Sequence, residues 1–184
     1  MKNNTSALTQ TALMTAIICV LAPLSIPIGP VPISMATFVL FLSIYILGWK
    51  LATSSCILYI LLGTVGVPVF SGYAGGLGKI MGPTGGYIIG FIPMVIIAGI
   101  LISKTKNRGF QFLAMVLGLI VCYAFGTAWF CISMESKLAP ALMACVVPFI
   151  PVDLIKILIT VVVGPMISDR LIKARVMHAQ EKSK

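Results

Sequence analysis

Two charged residues interrupt an apolar stretch that reads Pro-Phe-Ile-Pro-Val-Asp-Leu-Ile-Lys (148–156). Asp153 and Lys156 are three residues apart, so on a helix they share one face. A carboxylate accepts N–H donors, and an ammonium donates to a carbonyl or a carboxylate. Such a pair suits a small ligand that presents both a donor and an acceptor. The competing reading is a structural ion pair that neutralises itself.

A second candidate is the segment 67–87, where Gly72, Gly75, Gly76, Gly78, Gly82, Gly85 and Gly86 crowd together. Glycines let backbone come close to a ligand and offer its N–H groups. Phe70, Tyr73 and Tyr87 interleave aromatic rings with the glycines. Apolar walls with a few polar groups make a small-molecule pocket. The segment is not a phosphate-binding P-loop. Lys79 precedes the Gly82-Pro83-Thr84-Gly85-Gly86 run, and no G-x-x-x-x-G-K-[ST] occurs. The chain is therefore not expected to hydrolyse ATP or to act as an enzyme.

Other chemistry is poorly supplied. The single histidine, His178, lies in a charged tail far along the chain from Asp153, which speaks against a histidine-based metal site or a Ser-His dyad. The five cysteines (Cys19, Cys56, Cys122, Cys131 and Cys145) have no C-x-x-C spacing and read as small apolar residues. No metal or cofactor is expected.

The elements that hold these residues follow from composition. Of 184 residues, 59% are hydrophobic and 9% charged, against roughly 25% charged in soluble domains. So few charges cannot clothe a soluble surface, and such hydrophobicity excludes disorder. An all-α integral membrane protein of one domain remains. Positions 3–49, 51–78, 80–103 and 109–134 carry no charge. A spanning helix needs about 20 apolar residues, and Pro23, Pro27, Pro30 and Pro32 break the first run. Six transmembrane helices are expected, near 7–26, 33–49, 51–67, 85–103, 110–134 and 151–173. A glycine-rich outer loop spans 68–84, and a basic tail spans 174–184.

Thirteen Lys/Arg against four Asp/Glu give a net charge of +9. In a membrane chain this is an orientation signal rather than a nucleic-acid signal. With six helices, Lys2, Lys50, Lys104, Lys106, Arg108, Arg170, Lys173, Arg175, Lys182 and Lys184 lie on one side, and Lys79 and Lys137 on the other. Both termini are therefore expected in the cytoplasm. Arg170 to Arg175 forms a basic face suited to anionic lipids. Asp153 and Lys156 then sit toward the outer end of the last helix. In helix 1, Ala12 and Ala16 have the small-x-x-x-small spacing that lets membrane helices approach closely.

The segments 68–72, 82–87 and 148–156, with Ala12 and Ala16, resemble the BioY family. These are the biotin-specific substrate-binding (S) components of energy-coupling factor (ECF) transporters in the bacterial cytoplasmic membrane. The resemblance implies capture of biotin from outside by an S component that topples in the membrane. It implies as partners a transmembrane T component and two cytoplasmic ABC ATPases. It implies that Asp153 and Lys156 are ligand residues, that Gly82 to Tyr87 line the site, and that Ala12 and Ala16 meet the T component. It also implies that the 27–33 loop is a gate.

Biotin carries two ureido N–H groups, a ureido carbonyl, an apolar bicycle and a carboxylate. The chemistry allows Asp153 to accept a ureido N–H while Lys156 donates to the ureido oxygen. The reverse arrangement, with Lys156 on the carboxylate, stays open. Three alternatives stand beside this reading. One is an S component for another vitamin. The second is a membrane enzyme, which lacks a visible nucleophile. The third is a purely structural subunit, which an Asp–Lys pair bonded to itself would favour.

Overall fold

A computed structural model describes residues 2–27 and 31–174, with side chains from residue 5. The chain is helical: α1 (Lys2–Leu21), α2 (Ala36–Val65), α3 (Leu77–Met81), α4 (Gly85–Ser103), α5 (Arg108–Ser133), α6 (Leu138–Cys145) and α7 (Phe149–Lys173). Two short strands, β1 (Ser25–Ile26) and β2 (Ile33–Ser34), join α1 to α2. By length and composition, α2, α4, α5 and α7 can each cross a membrane, and Thr5–Leu21 is a shorter apolar helix. Large apolar side chains such as Leu117, Ile120, Leu158 and Val162 stand exposed on α5 and α7. A surface of this kind suits lipid rather than water.

The expected helices 33–49 and 51–67 are one element with a break. Gly48 has φ 74° and ψ 165°, a conformation open essentially only to glycine. The chain folds back there, as three hydrogen bonds require. Leu24 accepts from the Met35 N–H and Pro23 from the Gly72 N–H, each at 3.0 Å, while Gly63 accepts from the Gly76 N–H at 2.7 Å. Both ends of α2 are thus drawn to the end of α1, whereas a straight helix of that length would hold them about 45 Å apart. The reversal falls two residues before Lys50, the charge that separates the two expected helices. Charge marks where a helix meets water, but the turn itself needs a residue without a Cβ.

Other element ends differ from expectation for local reasons. Helix 1 stops at Leu21 rather than near 26, and residues 25–26 and 33–34 pair as an antiparallel two-stranded ribbon with Ser25 opposite Ser34. Proline forces its preceding residue toward extended backbone, and Pro32 lies between Val31 and β2. The other half of the expected 27–33 gate, residues 28–30, lies outside the described residues. So do Arg175, His178, Lys182 and Lys184 of the tail. Helix α5 begins at Arg108 because Asn107 caps it, its Oδ1 accepting from the N–H groups of Gly109 (2.9 Å) and Phe110 (3.3 Å). The expected loop 68–84 contains the short helix α3, and Phe70 and Ala74 bond each other's backbone across a tight turn.

Glycines bring α4 and α5 together. A Cβ on Gly86 would strike Trp129, one on Gly126 would strike the Tyr87 ring, and one on Gly118 would come 2.8 Å from the Met94 carbonyl. Close backbone approach of this sort is how membrane helices associate without a hydrophobic driving force. Helix α1 docks on the second arm of α2 through hydroxyls. Ser55 Oγ donates to the Thr11 carbonyl at 3.1 Å, and Thr15 Oγ1 reaches the Ser55 carbonyl at 3.4 Å.

Candidate ligand-binding site

Helix α7 starts with Pro148 at its N-cap and Pro151 in its first turn. Proline is tolerated there because the first-turn N–H groups have no helical partner. One turn further on, Asp153 and Lys156 face inward and are buried, 3% and 8% exposed. Lys156 Nζ donates to Asp153 Oδ1 at 2.9 Å. It also donates to the Ser34 carbonyl at 2.6 Å and to Thr37 Oγ1 at 3.3 Å. The Thr37 hydroxyl donates to Asp153 Oδ1 at 3.1 Å, and the Tyr123 hydroxyl to Asp153 Oδ2 at 2.7 Å.

A buried charge is tolerated only when paired and hydrogen-bonded. Here β2, α2 and α5 supply that satisfaction to α7. The three N–H donors of Lys156 are engaged. The carboxylate of Asp153 has about four acceptor positions; three carry protein donors.

The pair is bonded to itself, as a structural pair would be. It also lines a cavity. The walls are Val31, Pro32, Ser34 and Thr37 on one side and Tyr87, Phe91, Leu119, Cys122, Tyr123 and Phe149 on the other. The space between these walls, open mouth included, is about 410 Å³. Apolar walls surround one acceptor–donor pair. The arrangement can hold a small, mostly apolar molecule with a donor beside an acceptor.

Of the sequence candidates, the structure brings Asp153, Lys156 and Tyr87 together at this cavity. Tyr87 lies within hydrogen-bond distance of Thr127 Oγ1 (3.3 Å) and donates to the Cys145 carbonyl (3.4 Å). Gly82, Pro83, Thr84, Gly85 and Gly86 are not among its lining residues. The carbonyl of Gly82 accepts from Trp129 Nε1 at 3.0 Å. Gly85 packs on the Ile80 backbone, and Gly86 on Trp129. Thr84 precedes α4, and its buried hydroxyl has no partner among the described residues. Phe70 is fully buried edge-on to Tyr59 beside Gly63, and Tyr73 is 64% exposed at φ 57°. Ala12 and Ala16 are exposed on the face of α1 that turns away from Ser55.

Ser34, Thr37 and Tyr123 also line the cavity, and no sequence motif marks them. For Thr37 and Tyr123 the available signal is polarity inside apolar runs, together with the helical spacing of Leu119, Cys122 and Tyr123; Ser34 acts through its main-chain carbonyl, which no side chain marks.

The BioY family model matches residues 1–173. This chain belongs to the BioY family. The biotin transporter BioY of Thermotoga maritima is 39% identical over 170 residues, 92% of this chain and 97% of the relative. A probable biotin transporter BioY of Pyrococcus horikoshii is 38% identical, covering 83% of this chain and 90% of its own length. A crystal structure of the S-component for biotin from an ECF-type ABC transporter superposes with a TM-score of 0.83 at 31% identity, covering 91% of this chain and 93% of that one. The fold is that of an ECF S component. Like other BioY proteins, the chain is a multi-pass protein of the cytoplasmic membrane.

Proposed function

We propose that this chain captures biotin and carries it across the cytoplasmic membrane as the S component of an ECF-type transporter. It is a transport subunit rather than an enzyme. The reading is supported by the family and by the observation that carries it: the sole ion pair among the described residues is buried and opens onto an apolar cavity. Asp153 accepts a ureido N–H through its remaining acceptor position. Lys156 exchanges its longest bond, the 3.3 Å contact with Thr37, for the ureido oxygen. Tyr87 and Phe91 flank the bicycle. Gly82 to Gly86 serve the site indirectly, by holding α4 against α3 and α5. Nanomolar binding needs about 12 kcal/mol, the contribution expected of mostly apolar walls around a few satisfied polar contacts.

We read six spans, counting the two arms of α2 separately and including α1; an even number puts both termini on one side, and the Lys/Arg bias of the loops makes that side the cytoplasm. The partners are a T component, which meets Ala12 and Ala16 on the exposed face of α1, and two cytoplasmic ABC ATPases. The internal Asp153–Lys156 bond favours a second reading, a structural subunit without a ligand. Titrating biotin into the purified chain separates the two. Saturable, stoichiometric binding supports capture, and an absence of binding leaves the structural subunit.

A further inference from the structure

We infer that Tyr123 is a positioning residue that sets which ligands the site accepts, by fixing the acceptor geometry of Asp153. This rests on the biotin reading above and names what makes that site prefer a neutral urea.

The Tyr123 hydroxyl donates to Asp153 Oδ2 at 2.7 Å, the shortest of the three bonds to this carboxylate. It comes from α5, whereas Thr37 and Lys156 both act on Oδ1. The carboxylate is therefore pinned at both oxygens from different helices. Lys156 and Thr37 occupy Oδ1, Tyr123 takes one lone pair of Oδ2, and a single acceptor position remains. Tyr123 also lines the cavity, so the residue that fixes the carboxylate stands beside the space it serves.

One acceptor position beside one ammonium matches the edge of a neutral cyclic urea, which presents one N–H beside one carbonyl. A guanidinium in the same ring presents donors only. It would need two carboxylate lone pairs and would bring its charge against Lys156. With Tyr123 in place, that second lone pair is taken. Without the hydroxyl, Oδ2 offers both lone pairs and the carboxylate is free to turn, so the site loses its preference for the urea.

The test compares biotin with 2-iminobiotin, in which a guanidine replaces the urea, in neutral buffer, where this strongly basic guanidine is protonated. Both are titrated into the purified full-length wild type and Tyr123→Phe. The expected result is a loss of biotin affinity of about tenfold or more, as for a hydrogen bond to a charged group, with a distinctly smaller loss for 2-iminobiotin. Unchanged affinity, or an equal loss for both ligands, overturns the inference. A wild type that binds no biotin overturns the proposed function instead. Should Tyr123→Phe not fold, 3-fluorotyrosine at position 123 keeps the ring and strengthens the hydroxyl as a donor. The preference for biotin should then widen, and an unchanged preference counts against Tyr123.

Discussion

Lys156 on α7 donates to the main-chain carbonyl of Ser34 at 2.6 Å, across 122 positions of sequence. The contact ties the strand ahead of α2 to the charged pair, so this wall of the cavity forms only when segments far apart in the chain have come together. The site is thus a tertiary object, although its charges are a local motif.

The fold-back at Gly48 depends on a missing side chain. Gly48→Ala must place a Cβ at φ 74° and ψ 165°, which costs about 1–3 kcal/mol. Its thermal midpoint in detergent should fall by several degrees. Gly78→Ala, where an added Cβ meets nothing within 4 Å, should melt like the wild type.

The α4–α5 contact predicts a graded response. Gly126→Ala drives a methyl group into the Tyr87 ring, and overpacking of this kind costs about 1–3 kcal/mol. Because Tyr87 lines the cavity, biotin affinity should fall together with the melting temperature. A variant as stable as the wild type would mean that the ring has room the structure does not show.

Ala12 and Ala16 are exposed, so bulk there should leave the isolated chain intact. Ala12→Trp should bind biotin and melt as the wild type does. In cells with the coupling module present, it should lose co-purification with the T component and most biotin uptake. Normal uptake would remove α1 from the docking surface.

Sidedness is testable with single cysteines in a cysteine-free background. At positions 50 and 104, a membrane-impermeant thiol reagent should label only after the membrane is opened. At position 137 it should label intact cells. Labelling of position 50 from outside would contradict six spans with cytoplasmic termini.

The charged pair was legible because a charge within an apolar run stands out against its cost. Its supports were not. Thr37 and Ser34 lie 116 and 122 residues from their partners; Thr37 is one of many uncharged polar residues inside the spans, and Ser34 contributes a backbone carbonyl that any residue would carry. The glycines of 82–86 signal close approach without saying of what. In the structure Gly85 meets the Ile80 backbone and Gly86 meets Trp129. The α-helical class was readable from hydropathy alone, whereas the reversal at Gly48 rests on a backbone angle that no periodicity encodes.

The most direct measurement of the central claim is biotin titration of Asp153→Asn, Lys156→Ala and the double variant Asp153→Asn/Lys156→Met, each with a thermal melt. Removing one buried partner leaves the other uncompensated and destabilises by about 3–5 kcal/mol. Each single variant should therefore melt lower and bind biotin at least tenfold more weakly. The double variant should recover much of the stability and still fail to bind tightly. Undiminished biotin affinity in both single variants, or a double variant that regains affinity along with stability, would contradict the account.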